Sequence, residues 1–273
     1  MAICDDPKLT YLNNLGYSVL RYPREGIAPL GVIAADGKKR DLMGTLDQIW
    51  KSSVPVPVPG PQLAAGNISG FRSSDLKISA GLDILANALN GMFGGSAPSV
   101  DVAYANAKSM QFQLGDVTIS GIDPFVIGDY ITKGELASQN PFVRRYFTGQ
   151  DGTRAFVISQ VLLAKSLKVT AKRDDSTAVK VDVPAIQAAV GAKAGVTVTG
   201  SDSTEVTYSN AMPLVFGFQM FEVIYTGGQW DVRGVAPAAA TAFSDEDDAD
   251  HSPVVADGEL MEIGYTSTFA HGH

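Results

Sequence analysis

Two stretches of this 273-residue chain follow one plan, and that plan restricts the possible folds more than any other feature. The first covers roughly residues 66–120. A polar, strand-like stretch at 67–79 leads into GLDILANALNGMF, where Leu82, Leu85, Ala86, Leu89, Met92 and Phe93 recur at the spacing of one helix face. GGSAPS breaks that helix. VDVAYANAKSMQFQL then alternates, with Val100, Val102, Tyr104, Met110, Phe112 and Leu114 to one side and Asp101, Ala103, Ala105, Ser109, Gln111 and Gln113 to the other. Period two is the mark of a half-buried strand. The second stretch covers roughly 154–209. AFVISQVLLAKSLKVTAK, which includes Val169, reads as a long strand, and 173–177 as a turn. AVKVDV sets Val179, Val181 and Val183 against Lys180 and Asp182, Pro184 opens a short helix, and VTVTGSDSTEVTY, with Val196 and Val198, returns as a strand. Strand, short amphipathic helix and strand thus occur twice.

Shorter elements surround these two. Asp6-Pro7 is a helix start, an N-cap followed by Pro at the first helical position; Leu9, Leu12 and Leu15 form its apolar stripe and Gly16 its stop. A strand at 17–22 ends at Pro23, and another at 28–34 precedes an Asp36-Gly37 turn. Residues 45–51 read as a helix. VPVPVPGP at 54–61 carries four prolines and reads as extended loop. Asp123-Pro124 repeats the N-cap signal for a helix to about Lys133, and 141–147 reads as a further helix. Residues 214–232 form a hairpin about Gly227-Gly228. The class is α+β, a twisted, mostly antiparallel central sheet with short helices around it.

Charge divides the chain. Asp245, Glu246, Asp247, Asp248, Asp250, Asp257, Glu259 and Glu262 supply eight of the 29 acidic residues, and no Lys or Arg follows Arg233. Residues 1–233 are therefore neutral, and the tail carries the net charge of −8. A neutral body gives no electrostatic case for nucleic acid. An acidic segment of this kind reads as a solvated, flexible linker. It leads into GELMEIGYTSTFAHGH, which regains Leu260, Met261, Ile263, Tyr265 and Phe269. The expected organisation is a body at 1–233, a linker at 234–259 and a terminal peptide at 260–273. No apolar run reaches the ~20 residues of a spanning helix. The start of the chain has no charged and apolar regions of a secretory signal. One cysteine, Cys4, allows no internal disulfide.

Catalytic chemistry is not legible. His251, His271 and His273 all fall in the tail, so a Cys–His or Ser–His pair would need the tail folded into a site. No phosphate-binding loop, dinucleotide fingerprint or EF-hand appears, and no metal site is expected. The expectation is a protein that is not an enzyme and uses no cofactor.

DPKLTYLNNLGYSVLRYPREGIAPL, through Asp6, Pro7, Leu9, Tyr11, Leu12, Leu15, Gly16, Tyr17, Val19, Arg21, Pro23, Arg24, Gly26, Ile27, Pro29 and Leu30, resembles the opening of bacterial gasdermins. VDVPAIQAAVG at 181–191 and LVFGFQMFE at 214–222 resemble that family too, and the likeness spans most of 4–225 in order. The resemblance implies a gasdermin N-domain-like body held inactive by a short C-terminal peptide. It also implies a caspase-like protease that removes the peptide, and release into a large membrane β-barrel that kills the cell as an antiphage defence. It implies a palmitoyl group on an N-terminal cysteine, and Cys4 is the matching position. The protein would be a cytoplasmic monomer when inactive, and an inner-membrane homo-oligomer in contact with lipid after cleavage.

The residues are compatible with those implications. Barrel strands of about 9–11 residues need one apolar face. Val100, Val102, Tyr104, Met110 and Phe112 in the first stretch, and Val169, Val179, Val181, Val196 and Val198 in the second, would supply it. The helices at 81–93 and 184–190 would then unfold into strand. A sixteen-carbon chain on Cys4 moved from water to an apolar site gains roughly 12 kcal/mol at ~0.8 kcal/mol per CH₂. Leu260, Met261, Ile263, Tyr265 and Phe269 would cover a strand edge prone to association. Two other classes stay open at this level: a lipid-anchored binding module without catalysis, and a hydrolase using the tail histidines.

Overall fold

The computed structural model describes residues 16–36, 39–66, 76–93, 100–137, 139–148, 152–173, 177–190, 195–199, 204–226, 229–234 and 264–265. Two strands dominate it: β10, Arg154–Lys172, and β12, Glu205–Thr226. They pair antiparallel from Phe156↔Glu222 to Thr170↔Glu205, with breaks in register near Ser159, Leu162 and Lys165. β10 holds neither Gly nor Pro and is rich in β-branched and aliphatic residues, which suits a strand of 19 residues. β12 tolerates Pro213 because the proline lies where the ladder is interrupted, between Leu214↔Ala164 and Ser209↔Ser166.

Shorter strands flank this spine in three tiers. In the upper tier β2 (Gly31–Asp36) pairs with Arg154–Val157 of β10, β3 (Lys39–Thr45) lies outside β2, and β13 (Gln229–Gly234) pairs with the far end of β12. In the middle tier β8 (Thr118–Gly121), with β5 (Leu63–Ala64) outside it, pairs with β10, and β1 (Ser18–Arg24) pairs with β12. In the lower tier β7 (Ser109–Gly115), with β6 (Leu76–Lys77) outside it, pairs with Ser166–Lys172, and β11 (Gly195–Thr199) pairs with Glu205–Ser209. β7 and β8 run the same way along β10, separated by a kink at Asp116, whose φ is 51°. Aspartate is among the few residues that visit this left-handed region readily. β4 (Trp50–Ser52) and β9 (Gly134–Leu136) form a separate two-stranded ladder.

Helices cover one face of the sheet. α1 (Leu46–Ile49), α3 (Pro124–Thr132) and α4 (Pro141–Phe147) contribute to a cluster under the upper tier, with Ala155, Val157, Phe221 and Val223. Trp230 anchors β13 into it, edge-on to Trp50 at 4.4 Å between ring centroids. α2 (Ile78–Phe93), a single 3-10 turn (Asp101–Tyr104) and α5 (Val183–Val190) lie over the lower and middle tiers. The opposite face carries Leu20, Ile33, Leu42, Phe156, Ile158, Val161, Phe218 and Met220, drawn from strands and joined by loop residue Ile27.

The Asp123-Pro124 start behaves as expected, with Asp123 Oδ1 accepting from Phe125 N–H at 2.8 Å, while the expected Asp6-Pro7 start lies outside the described residues. α4 has a like cap that the sequence pattern does not single out, Asn140 Oδ1 accepting from Phe142 N–H at 3.0 Å. The 54–61 stretch is extended loop, and the 214–232 hairpin is the β12–β13 pair, closing at Thr226↔Gln229. The helix at 45–51 is one turn, because Trp50 is drawn into the ladder with Leu136. β1 continues through Pro23, which an edge strand tolerates since its missing N–H is not needed by a neighbour.

Two expected strands are not strands here. Residues 100–107 close turns, with Ala103 N–H donating to Val100 O at 3.0 Å and Ala107 N–H to Tyr104 O at 2.9 Å. The turn buries Val100 and Tyr104 and leaves Val102 66% exposed, so the alternation Val100, Val102, Tyr104 does not share a face. Around 178–183 only Ala178 bridges β10, at Lys172, and Val179 N–H donates to Ala171 O. Val179 and Val181 are nevertheless buried.

Phe156, fully buried in the spine, should cost about 3–5 kcal/mol on substitution by Ala. Phe125→Ser, at an 88% exposed position, should change stability by about 0.5 kcal/mol or less. Urea unfolding of the two variants reads both values.

Candidate functional site

The lower tier is the part of the sheet with one apolar and one polar face. Leu167, Val169 and Ala171 of β10, Met110 and Phe112 of β7, and Val206 and Tyr208 of β12 are buried together beneath α2, where Leu85, Ala88 and Leu89 meet them. The helix stripe includes Ala88 where sequence spacing suggests Ala86, a rotation permitted by Gly81. A Cβ at Gly81 would stand 2.9 Å from Met110, so only glycine lets helix and strand approach this closely. The other face of the same strands carries Gln111, Gln113, Lys168, Thr170, Glu205 and Thr207. There Lys168 Nζ lies 3.3 Å from Glu205 Oε2, and Thr170 Oγ1 lies 3.4 Å from Glu205 Oε1. A strand set that is apolar on one side and hydrogen-bonding on the other is what a lipid-facing barrel wall requires.

Both repeated stretches feed this tier. β7 ends the first, and β10, β11 and the start of β12 belong to the second. Of the residues singled out by the sequence, Val100, Tyr104, Met110, Phe112, Val169, Val179 and Val181 come together in one buried cluster, while Val102 faces solvent. Val196 and Val198 lie on β11 opposite Tyr208 and Val206. Cys4, Leu260, Met261, Ile263 and Phe269 lie outside the described residues. Tyr208 is a functional candidate that sequence patterning does not flag. Its hydroxyl lies 2.9 Å from that of Tyr104, both buried, and a pair 104 residues apart leaves no local sequence signal. Burial pushes the Tyr208 phenol up to about 12 and holds Tyr104 well above its ordinary value.

The second feature is an edge. Gly264–Tyr265 forms a strand, β14, that pairs parallel with Asp41 and Leu42 on the outer side of β3. The chain leaves the described body at Gly234, on β13, and β14 sits at the opposite side of the upper tier, across β12, β10, β2 and β3. Among the described residues no group of three or more His, Cys, Asp or Glu could hold a metal. No helix there is long and apolar enough to cross a membrane, which leaves crossing by strands open.

A family model described as the Bacterial Gasdermin Family matches residues 20–235. A gasdermin from Vitiosangium sp. is 33% identical over 241 residues, 88% of this chain and 89% of that protein. One from a Desulfuromonadales bacterium is 31% identical over 229 residues, 83% of this chain and 85% of that protein. The structure of a bacterial gasdermin from Bradyrhizobium tropiciagri aligns with a TM-score of 0.63 at 19% identity, covering 84% of this chain and 90% of that one. At that identity the structural likeness shows the fold: an α+β, mostly antiparallel sheet with short helices.

The buried tyrosines give the fold a defined pH dependence. Free phenols ionise near about pH 10. Tyr208, and likewise Tyr17, keep their protons to about 12 in the fold. Their contribution is whole below about pH 10 and is lost as pH rises toward 12, because the unfolded chain then binds fewer protons. Urea unfolding measured at pH steps across that window should show falling stability. The fall should be shallower when Tyr104→Phe and Tyr208→Phe are combined.

Proposed function

Because the chain belongs to the bacterial gasdermin family, a family of pore-forming proteins, we propose that it is an autoinhibited pore-former whose terminal peptide, roughly 260–273, holds the body in its resting fold. A protease, caspase-like by family resemblance, cuts the acidic linker at 234–259. The peptide then leaves, and the body assembles with copies of itself into a β-barrel in the inner membrane, as an antiphage cell-death device. Cys4 carries a palmitoyl group that strengthens membrane attachment.

The observation that carries the inhibited half of this reading is the seating of Gly264–Tyr265 on β3. An unpaired strand edge is a template for association, so a short strand laid on it blocks a neighbour. The ladder covers two residues and is parallel, the weaker arrangement per residue. Its hold therefore depends on the tether. From β13 to β14 is five strand spacings, about 24 Å at ~4.8 Å each. A flexible linker of about 30 residues has a root-mean-square span near 30 Å. Effective concentration is greatest when span and linker length match. Cutting the linker removes that advantage and lets a weakly held peptide dissociate.

The inserting half rests on the lower tier. Its strands already present an apolar face and a polar face, and α2 (ISAGLDILANALNGMF) lies over the apolar one. Two Asn and two Gly lower its helix propensity, which eases conversion to strand.

The test uses the full chain with a recognition sequence for a specific protease placed within 234–259. Dye-loaded vesicles of anionic lipid should stay intact with the uncut protein and leak after cutting. Vesicles that bind the cut protein yet remain sealed would favour a lipid-anchored binding module and overturn the pore reading. Intact-mass measurement should show a palmitoyl adduct that disappears in Cys4→Ala.

A further inference from the structure

The two convertible stretches are physically joined in the resting fold, and the junction is small. The 3-10 turn belongs to the first stretch, and α5 with the start of β12 belongs to the second. Asp182 N–H donates to Ala103 O at 3.1 Å, tying the approach to α5 to the 3-10 turn. The same Asp182 starts α5: its Oδ1 accepts from Ala185 N–H at 3.1 Å, and its carbonyl accepts from Ile186 N–H at 3.1 Å. Next to it, Tyr104 of the turn and Tyr208 of β12 share the buried 2.9 Å hydroxyl contact. Val100, Ala103, Val179, Val181 and Ile186 pack in the same cluster. Below the junction, Lys108 N–H donates to Lys172 O at 2.8 Å and Ile78 N–H to Lys108 O at 3.0 Å, so the start of α2 hangs from the same point.

We infer that this junction is an interlock: the 3-10 turn with α2, and α5 with its lead-in, leave the resting sheet together. The physical reason is the cost of opening one alone. If α5 unwinds while the turn stays, the Ala103 carbonyl loses its donor. If the turn lifts while α5 and its lead-in stay, the Asp182 N–H loses its acceptor, Ala103 O. Either orphaned group carries a desolvation penalty, and opening both returns both groups to water. The lower tier thus loses both of its covers in one step, and its apolar face is never half uncovered. That the step gates insertion rests on the proposed function; the interlock itself is a property of the resting chain.

Hydrogen exchange followed by mass spectrometry on the full, uncut chain without membranes tests it separately from any pore. Asp182→Ala removes the side-chain cap of α5, a contact within the second stretch, and keeps the backbone N–H that reaches Ala103. It should speed exchange about five-fold across 183–190. The interlock requires a matching factor in peptides covering 78–93 and 101–107 of the first stretch, with the β12–β13 hairpin unchanged. Tyr104→Phe, made in the first stretch, should reciprocally speed exchange at 183–190. Acceleration confined to the mutated stretch, acceleration that includes the hairpin, or none from either variant overturns the interlock. Vesicle leakage after cutting is a separate readout, so loss of the interlock and loss of the pore reading stay distinguishable.

Discussion

The ladder between β10 and β12 is the interaction on which the rest of the molecule depends. Each tier borrows one section of it, so no flanking strand pairs with more than a fraction of the spine. Register breaks near Ser159 and Lys165 separate the tiers and re-aim the side chains. Ala155 and Val157 point under α3 and α4, whereas Leu167, Val169 and Ala171 point under α2. Arg154 reinforces the upper end. Its guanidinium grips the nearly buried Glu222 carboxylate through two bonds, 2.8 and 2.6 Å, and stacks 5.0 Å from the Phe156 ring. Such two-pronged pairing holds geometry as well as energy.

The tiers differ in what holds them. The upper tier is apolar on both faces: Ala155 and Val157 lie to one side, and Phe156 and Ile158 to the other. Losing one cover would still leave it packed. The lower tier is apolar on one face only, and its other face is held by hydrogen bonds and the Lys168–Glu205 pair. A half-exposed ion pair of this kind adds at most about 1 kcal/mol. Among the described residues, the cover of its apolar face is the helices and the turn above it. One end of the sheet is thus packed on both faces and the other on one.

How much of the structure is legible in the sequence varies by element. The long strand at 154–172, the pairing of β12 with β13 and the Asp123-Pro124 helix start are local features, and local rules predict them. The helix over 78–93 is readable from its stripe, though its rotation is not, because Gly81 against Met110 decides which residues turn inward. Residues 100–104 mislead for a physical reason. Val-Asp-Val-Ala-Tyr alternates as a strand does, yet so short a run also closes a 3-10 turn, and in the fold that turn seats Tyr104 against Tyr208, a contact with no local signal. That Gly264–Tyr265 pairs with Asp41 and Leu42 of β3 has no local signal in the sequence.

The sequence by itself determined the class of fold, the neutral body with its acidic tail, and the two repeated strand–helix–strand plans. Those follow from side-chain periodicity, turn chemistry and charge, which act over a few residues. Tertiary structure alone decided that the two plans share one tier, that the spine has three sections, and that β14 lies on β3. Those outcomes arise from pairings between residues far apart in the chain, where hydrogen-bond registers and buried contacts choose among many partners that are locally equivalent.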